Sequence, residues 1–293
     1  MALLRYTASA DTTITNAYEA NLVTRGTGAN MGYADALEVF SIYATGQSQE
    51  LSRILVKFPV SQITADRASG VLAASGSVSF YLKMHNAQSP WTLPQDFNLV
   101  VAPVSRSWAE GSGLDMDEYQ DLGTSNWIKS DSTTDWTSIG GDYHTASNYN
   151  VSFPLGYEDL ELDVSDVIEQ WVAGTDPEFA NNYGFGIHLT ASQEAYYSSS
   201  TGQDTSVLIN YTKQFMARST EFFYKRPTIE ARWNSSTKDN RENFYYSSSL
   251  APAADNLNTL YFYNYIRGRL VDIPGSPDVQ VSLLSGAFAP ATG

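Results

Sequence analysis

The sequence predicts an all-β fold, an antiparallel sandwich closed by one short helix. Short runs of β-branched and aromatic residues recur along its 293 residues, and turn-forming residues separate them. Residues 77–84 alternate apolar and polar side chains for part of their length, as a strand does when one face lies in a core. Residues 53–58 are more continuously apolar and fit a central strand covered on both faces. This spacing favours a jelly roll or a related sandwich.

The predicted strands divide into two groups. In the first half of the chain they are residues 3–6, 12–16, 37–43, 53–60, 77–85 and 98–104. In the second half they are residues 149–153, 184–189, 206–211, 221–224 and 228–233. Between the two groups, residues 105–150 are predicted to form a long ordered loop.

One helix is predicted over residues 164–173. Asp163 or Ser165 is the expected N-cap, and Gly174 follows the last turn as a C-terminal glycine commonly does. Its apolar stripe consists of Val164, Val167, Ile168, Trp171 and Val172. We expect this helix to cover one end of the sandwich.

Composition and charge exclude several classes of protein. With 17 Lys and Arg against 32 Asp and Glu, the net charge of −15 argues against a sequence-independent grip on nucleic acid. The absence of cysteine excludes disulfide scaffolds, thiolate metal sites and cysteine nucleophiles. No apolar run reaches the roughly 18 residues that a membrane span needs.

A polar segment at residues 234–242 marks the predicted domain boundary. It separates residues 1–234, the sandwich, from residues 235–293, a small C-terminal β segment with expected strands at 244–247, 258–271 and 279–284. Three strands alone would expose one face and two edges, so this segment needs a partner. The partner is the main sandwich, a neighbouring subunit or a missing continuation of the chain, and a subunit contact is favoured. The predicted interface residues are Tyr261, Phe262, Tyr263, Arg267 and Arg269.

Catalytic signatures are weak. None of the three histidines lies near a G-x-S-x-G elbow, and no phosphate loop or H-E-x-x-H motif occurs. Paired carboxylates could support glycoside hydrolysis, but the required separation cannot be obtained from sequence. Consecutive aromatic residues such as Phe222-Phe223-Tyr224 cannot all point inward, so some must be exposed or lie at an interface.

The acidic loop that follows Trp108 is the clearest candidate metal site. Alternating carboxylates near glycines can surround a hard cation with oxygen, and Asp115, Asp117 and Asp121 are the predicted Ca²⁺ ligands. The EF-hand pattern is incomplete because Asn126 stands where that motif has Glu. The alternative is a solvated acidic loop tethered by Trp108.

Several motifs occur in a fixed order within residues 5–233. They are Asp11-Thr12-Thr13-Ile14, residues 50–58, Ser107-Trp108-Ala109-Glu110-Gly111, Asn126-Trp127, Trp136, Gly140-Gly141-Asp142, Leu162-Asp163-Val164-Ser165, Trp171 and Asn182-Tyr183-Gly184-Phe185. Together they resemble a DNRLRE-type domain, a jelly-roll sandwich similar to some carbohydrate-binding modules. With its SWAEGSGLDMDEY insertion, this version resembles structural proteins of tailed bacteriophages, particularly marine ones. Residues 50–58 occupy the place of the name-giving motif without spelling it.

The resemblance implies adhesion or virion assembly. The leading expectation is a non-enzymatic virion structural protein of the tail, baseplate, fibre, neck or head surface, whose partners are other virion proteins and copies of itself. The second is a carbohydrate-binding adhesion module for host glycans, and the third is a polysaccharide-degrading enzyme.

Stability roles are expected for four residues in this pattern. A buried Arg53 would tie the strands to a carboxylate. Trp171 would cap the core, and Gly184 and Gly186 would permit close backbone approach.

Overall fold

A computed structural model describes most of the chain. The described residues are 2–44, 48–89, 93–115, 121, 123–194, 210–236, 250, 252, 261–271 and 273. The chain divides into two units, Met1–Ser235 and Ser236–Gly293. In the described part, no helix is long and apolar enough to cross a membrane.

Two antiparallel sheets build the first unit. The four-stranded sheet has the order β1-β11-β5-β8, and the seven-stranded sheet has the order β10-β3-β4-β9-β6-β7, with β2 also paired to β4. The strands are β1 Ala2–Thr7, β2 Ala10–Thr15, β3 Ala36–Ala44, β4 Ser48–Lys57, β5 Val78–Met84, β6 Phe97–Pro103, β7 Tyr149–Phe153, β8 Leu160–Asp163, β9 Phe185–Leu189, β10 Asn210–Met216 and β11 Thr228–Trp233. The predicted all-β, jelly-roll-like sandwich is therefore confirmed.

The main core lies between the two sheets. Alternation along β5 turns Phe80 and Leu82 inward from the four-stranded sheet, where both are fully buried. Ile54 and Val56 of β4 meet them from the seven-stranded sheet. Since Ile54 and Val56 point inward, Leu51, Arg53 and Leu55 point to the outer side of the same strand.

The predicted helix is present as α2, Ser165–Ala173. Val167, Ile168 and Trp171 are buried in the main core, and Gly174 ends the helix in a left-handed conformation. The N-cap prediction was wrong, because Val164 occupies that position without a side-chain cap. The Asp163 carboxylate instead accepts hydrogen bonds from the N–H and Oγ of Ser165.

A second helix, α1, spans Val60–Ala68 and was not predicted. The expected strand 53–60 ends at Lys57, and Pro59 precedes the first helical residue. Val60 and Ile63 are buried, but most of the helix surface is polar, so the sequence carries little apolar periodicity. Arg67 of α1 forms a two-pronged ion pair with Glu169 of α2, at 2.6 and 2.8 Å.

Other sequence predictions need correction. Residues 221–224 do not form a strand: Phe223–Lys225 is a single 3₁₀ turn with exposed aromatic rings. Strand β8 was not predicted, because its residues were assigned to the segment that precedes α2. The expected strands 244–247 and 279–284, and residues 206–209 of another, lie outside the described residues.

The outer side of the four-stranded sheet carries a network of ion pairs. Arg5 and Arg232 both contact the Glu230 carboxylate, at 2.7 and 2.6 Å. Arg232 and Lys83 both reach Glu161, at 2.7 and 3.3 Å, and the Arg232 guanidinium lies 4.2 Å from the centre of the Tyr81 ring. We call these six residues the charged face.

The described part of the second unit contains a β-hairpin, where the sequence predicted one continuous strand over residues 258–271. Strands β12, Asn264–Ile266, and β13, Arg269–Val271, pair antiparallel around Arg267 and Gly268. Both turn residues have positive φ, 52° and 76°, which is typical of a tight hairpin turn of type I′.

Candidate binding cleft

The outer side of the seven-stranded sheet carries a second hydrophobic core. Ile14 of β2 and Leu51 and Leu55 of β4 pack there against the long loop at residues 104–148. Trp127 and Trp136 of that loop are both buried on them. We call the sheet surface at Ile14, Leu51, Arg53, Leu55 and His188 the covered face. The described part of this loop forms an ordered layer on the sandwich, as the sequence predicted.

Arg53 is the anchor of this layer. Its Nε and Nη2 donate to the two carboxylate oxygens of Glu194, at 3.0 and 2.6 Å. Its Nη1 donates to the carbonyl oxygen of Gly140 at 2.9 Å, and the guanidinium lies 5.3 Å from the centre of the Trp127 ring. The prediction that Arg53 ties the strands to a carboxylate is confirmed. A two-pronged pair of this kind fixes geometry as well as charge.

Tyr143 lies on the covered face beside Arg53. Its hydroxyl donates to the Gly140 carbonyl at 2.8 Å, and its ring centre is 5.2 Å from that of His188. A Cβ atom on Gly186 would lie 2.0 Å from the Tyr143 ring, so the ring can occupy this place only above a glycine. The expected close approach at Gly186 is thus confirmed, and burial raises the pKa of Tyr143 to about 12.

His188 belongs to strand β9, as the sequence suggested. Its Nδ1 lies 2.7 Å from the carbonyl oxygen of Leu189, which makes Nδ1 the protonated nitrogen of the neutral ring. Burial, with a further contribution from the charge of Arg53, lowers the pKa of His188. The ring is therefore neutral at physiological pH.

Asp142 holds the loop that borders these rings. Its Oδ2 accepts from Arg106 Nε and from the N–H of Thr137, at 2.8 and 2.9 Å, and its Oδ1 accepts from the N–H of Ser138 at 2.8 Å. Burial acts to raise the pKa of Asp142, but these hydrogen bonds together hold it below its usual value. Asp142 is a positioning carboxylate with both oxygens engaged.

A polar cleft of about 570 Å³ opens between this loop and the sheet. Its walls combine hydroxyl and amide groups with two guanidinium groups and two planar rings. The lining residues are Arg53, Ala102, Ser105, Arg106, Thr137, Ser138, Ile139, Gly141, Asp142, Tyr143, Thr145, Asn148 and His188. Such a mixture offers many hydrogen bonds around a small apolar surface and suits a polar, uncharged or weakly charged ligand.

The predicted Ca²⁺ ligands are only partly within the described residues. Asp115 and Asp121 are described, whereas Asp117 is not. The Asp121 Oδ2 accepts hydrogen bonds from the N–H and Oγ of Ser112, at 2.7 and 2.9 Å. Among the described residues no three His, Asp or Glu side chains are grouped as a metal would require. The Ca²⁺ site stays a prediction.

Trp108 tethers the start of the acidic loop, as its alternative interpretation predicted. The Trp108 Nε1 donates to the Tyr183 carbonyl at 2.7 Å. Two residues further on, the Glu110 Oε1 accepts from Arg218 Nε and Nη2 and from the Asp11 N–H, at 3.1, 2.7 and 2.8 Å. The loop is therefore joined to β2 and to the segment after β10.

Asp11 is the unusual member of that junction. Its Oδ2 accepts from the Arg218 N–H at 2.6 Å, while its buried Oδ1 has no hydrogen-bond partner among the described residues. Burial raises the pKa of Asp11 to about 7; the Arg218 hydrogen bond opposes this shift and the charge of Glu110 adds to it. At neutral pH the folded protein therefore holds this carboxyl only partly ionised.

The predicted interface residues lie in and before the C-terminal hairpin. Tyr261, Phe262 and Tyr263 precede β12 and are exposed, and Arg267 is exposed at the turn. Arg269 begins β13, and its side chain lies outside the described part. The hairpin also exposes apolar side chains that the prediction did not include, namely Tyr265, Ile266, Leu270 and Val271.

Sequence reasoning missed most of the cleft. Arg106 and Asn148 are isolated polar residues in a loop, and no periodic pattern indicates that they face Arg53. Glu194 is 141 positions from its partner Arg53. The one available signal was the Gly140-Gly141-Asp142 motif, whose glycines both have positive φ.

No protein-family model matches the chain, and no curated protein matches it. The resemblance based on motif order therefore remains a prediction. Two of its motifs lie at defined places in the fold. Residues 107–111 begin the loop on the covered face, and residues 182–185 lead into β9.

Proposed function

We propose that the protein is a non-enzymatic structural component of a tailed-phage particle, acting in assembly or host adhesion. The exposed apolar hairpin of the second unit carries this proposal. Tyr265 and Leu270 are opposite each other in the register and are 55% and 60% exposed, and Ile266 is 53% exposed. Tyr265 and Leu270 share one face of the hairpin, and Ile266 lies on the other. Exposed apolar side chains of this kind mark interaction surfaces.

Assembly is a suitable use for such a hairpin. A two-stranded hairpin alone is only marginally stable in water, so it gains by adding its edge to another sheet. The partner is another virion protein or a second copy of the chain. Arg267 at the turn offers a cation to carboxylates of a partner, and copies of this chain are strongly acidic.

Truncation tests the assembly role. The full chain should self-associate or enter particles, whereas a chain ending at Ser235 should remain folded and monomeric, because the main core lies before that residue. Sedimentation velocity and mass spectrometry of purified particles measure the two outcomes. Equal self-association and equal particle incorporation of the two chains would exclude the role.

Recognition of host glycans is a second candidate, and the polar cleft favours it. Its hydroxyl, amide and guanidinium groups beside the Tyr143 and His188 rings match the chemistry by which proteins hold sugars. A glycan array with the full chain should show binding. Arg106→Ala should weaken that binding about tenfold, because it removes one charge-assisted hydrogen bond. Arg5→Ala on the charged face is the matched control.

A further inference from the structure

Lys213 is a lysine inside the sandwich. It lies on β10 between the inward-pointing Tyr211 and Phe215, and only 1% of its surface is exposed. Its Nζ lies 5.0 Å from the ring centres of both Phe153 and Phe215. An ammonium group is costly to bury in such surroundings unless its partners compensate for the lost water.

Three oxygens surround the Lys213 amine. Nζ donates to the side-chain Oδ1 of Asn86 at 2.6 Å, and to the carbonyl oxygens of Gly156 and Glu158 at 2.9 and 2.7 Å. The two carbonyls lie in the segment between β7 and β8, and Asn86 follows β5. The amine is thus held against one primary amide by two fixed backbone groups.

This contact brings a nucleophile to an electrophilic carbon. Since a C=O bond is about 1.23 Å long, a 2.6 Å hydrogen bond to Oδ1 leaves Nζ roughly 2.9–3.8 Å from the amide carbon of Asn86. That interval overlaps the ~3–3.5 Å separation at which bound and aligned groups react efficiently. A hydrogen-bonding Nζ lies beside the carbonyl oxygen, so it must turn toward the face of the amide before it can attack the carbon. An isolated bridge between Asn86 and Phe215 holds the two backbones in register.

We propose that Lys213 and Asn86 form an intramolecular amide bond, an isopeptide cross-link between β10 and the segment after β5. The three donated hydrogen bonds use all three N–H groups of an ammonium, so Nζ first loses one proton to water. The neutral Nζ then attacks the side-chain carbonyl carbon of Asn86, and a C–N bond forms. The bond from that carbon to Nδ2 breaks, and Nδ2 leaves as ammonia after receiving one proton from Nζ. No oxidant or cofactor is consumed.

We assign the transfer of that proton to the Glu158 carboxylate, which acts on Lys213 through its charge and is not hydrogen-bonded to Nζ. Its Oε1 accepts from the Leu155 N–H at 2.7 Å, while its buried Oε2 has no hydrogen-bond partner among the described residues. Its charge acts on Lys213 together with that of Asp159. Asp159 is already engaged, since its oxygens contact His85 and the Asn86 N–H at 3.0 and 2.8 Å.

The local electrostatics favour the nucleophilic form of the amine. Burial lowers the pKa of Lys213 to about 8, although the charges of Glu158 and Asp159 act in the opposite direction. An amine with this pKa is substantially neutral in mildly alkaline solution, whereas an exposed lysine is not.

The cross-link would join the two sheets. β10 is an edge strand of the seven-stranded sheet, and β5 is paired on both sides in the four-stranded sheet. The bond would close a loop between positions 127 residues apart, which limits the unfolded chain and resists separation of the sheets. This inference is independent of the proposed function.

Intact-mass spectrometry of the full chain under denaturing conditions tests the bond. After incubation at about pH 9, where the amine is mostly neutral, the protein should be lighter than its sequence mass by one ammonia. Peptide mapping should recover a branched peptide that joins Lys213 to Asn86. Lys213→Met and Asn86→Ala should both keep their full sequence masses, whereas Lys129→Met, at a surface ion pair, should still lose one ammonia.

Two results would overturn the proposal. The first is a wild-type chain that keeps its full sequence mass after this incubation, which would leave Lys213 as a hydrogen-bonded ammonium. The second is an equal loss of ammonia from Lys213→Met, which would place the reaction elsewhere. Glu158→Gln should slow the mass loss at least tenfold, and an unchanged rate would overturn the role assigned to Glu158.

Discussion

The two outer surfaces of the sandwich use the same arginine–carboxylate chemistry in different ways. On the charged face, the Arg5 side chain is 57% exposed and covers Glu230, whose side chain is 2% exposed. On the covered face, the side chains of Arg53 and Glu194 are 17% and 10% exposed, and the loop at residues 104–148 packs beside them. The two ion pairs have similar nitrogen–oxygen distances, 2.7 and 2.6 Å. They therefore differ in how much solvent surrounds the arginine and not in the contact itself.

That difference separates a solvated network from a structural junction. Water can replace Arg5, and Arg232 still contacts Glu230 when Arg5 is removed. Arg53, in contrast, holds Glu194, the Gly140 carbonyl and the Trp127 ring together. Substitutions on the covered face, which carries the cleft, should therefore cost more stability than substitutions on the charged face.

Replacing Arg53 should have the largest effect. Arg53→Met keeps the aliphatic stem but removes the guanidinium that both Glu194 oxygens contact, and the loss of one partner from a largely buried ion pair costs about 3–5 kcal/mol. Arg5→Met, the matched variant on the charged face, should cost about 0–1 kcal/mol. Urea unfolding measures both. Equal losses would show that the two faces do not differ energetically.

The junction between β2 and the acidic loop should respond to pH. The pKa of Asp11 is about 7 in the folded protein against 3.8 in an unfolded chain, so the folded state binds the proton more tightly. The contribution of Asp11 to the free energy of unfolding should therefore fall as pH rises from about 4 to 7. Asp11→Asn keeps an oxygen acceptor for the Arg218 N–H and removes this titration.

Compared at two pH values, Asp11→Asn isolates the contribution of one carboxyl. At about pH 8 it should be more stable, relative to wild type, by on the order of 3–4 kcal/mol than at about pH 4, which is the linkage expected for a pKa shift from 3.8 to about 7. Other titrating groups are common to both proteins and cancel in the difference. Urea unfolding at each pH provides the values. A constant difference across this window would refute the elevated pKa.

Gly186 should be the next most sensitive position. Gly186→Ala places a methyl group against the Tyr143 ring, and the forced displacement should cost about 1–2 kcal/mol. Gly123→Ala is the matched control, because its new Cβ would meet only one atom, at 4.0 Å, and should change stability by less than about 0.5 kcal/mol. Thermal melting compares the two. A neutral Gly186→Ala would mean that Tyr143 is free to move off the covered face.

Much of the sandwich could be predicted from local patterns. β5 alternates with period two and α2 has an apolar stripe with a terminal glycine, and both signals arise within about ten residues. Arg53 was also predictable as a buried cation, because a charged residue inside an apolar strand needs a partner. The polar helix α1 shows the limit of this reasoning, since its burial depends on contacts that its own pattern does not reveal.

The cleft could not be predicted because its parts are distant in sequence. Arg53, Tyr143 and His188 come together only after β4 and β9 pair and the loop folds over them. The surroundings of Lys213 also come from distant parts of the sequence. Alternation along β10 predicts that its side chain points inward, but no local pattern predicts that Asn86 contacts it. The Ca²⁺ prediction stays untested, because Asp117 lies outside the described residues.

The smallest effect is expected at Lys83 on the charged face. Its Nζ is 3.3 Å from Glu161, whose side chain is 44% exposed, and Arg232 reaches the same carboxylate at 2.7 Å. Lys83→Ala should therefore cost only about 0.2–1 kcal/mol, because Arg232 still neutralises Glu161 and water solvates the remainder.

High salt should remove even this loss, since at about 1 M the screening length is ~3 Å. The cost of Arg53→Met should persist in the same salt because its partner is shielded from ions. Urea unfolding at low and high salt compares the two variants, and a salt-sensitive Arg53→Met beside a salt-insensitive Lys83→Ala would reverse the assignment of the faces.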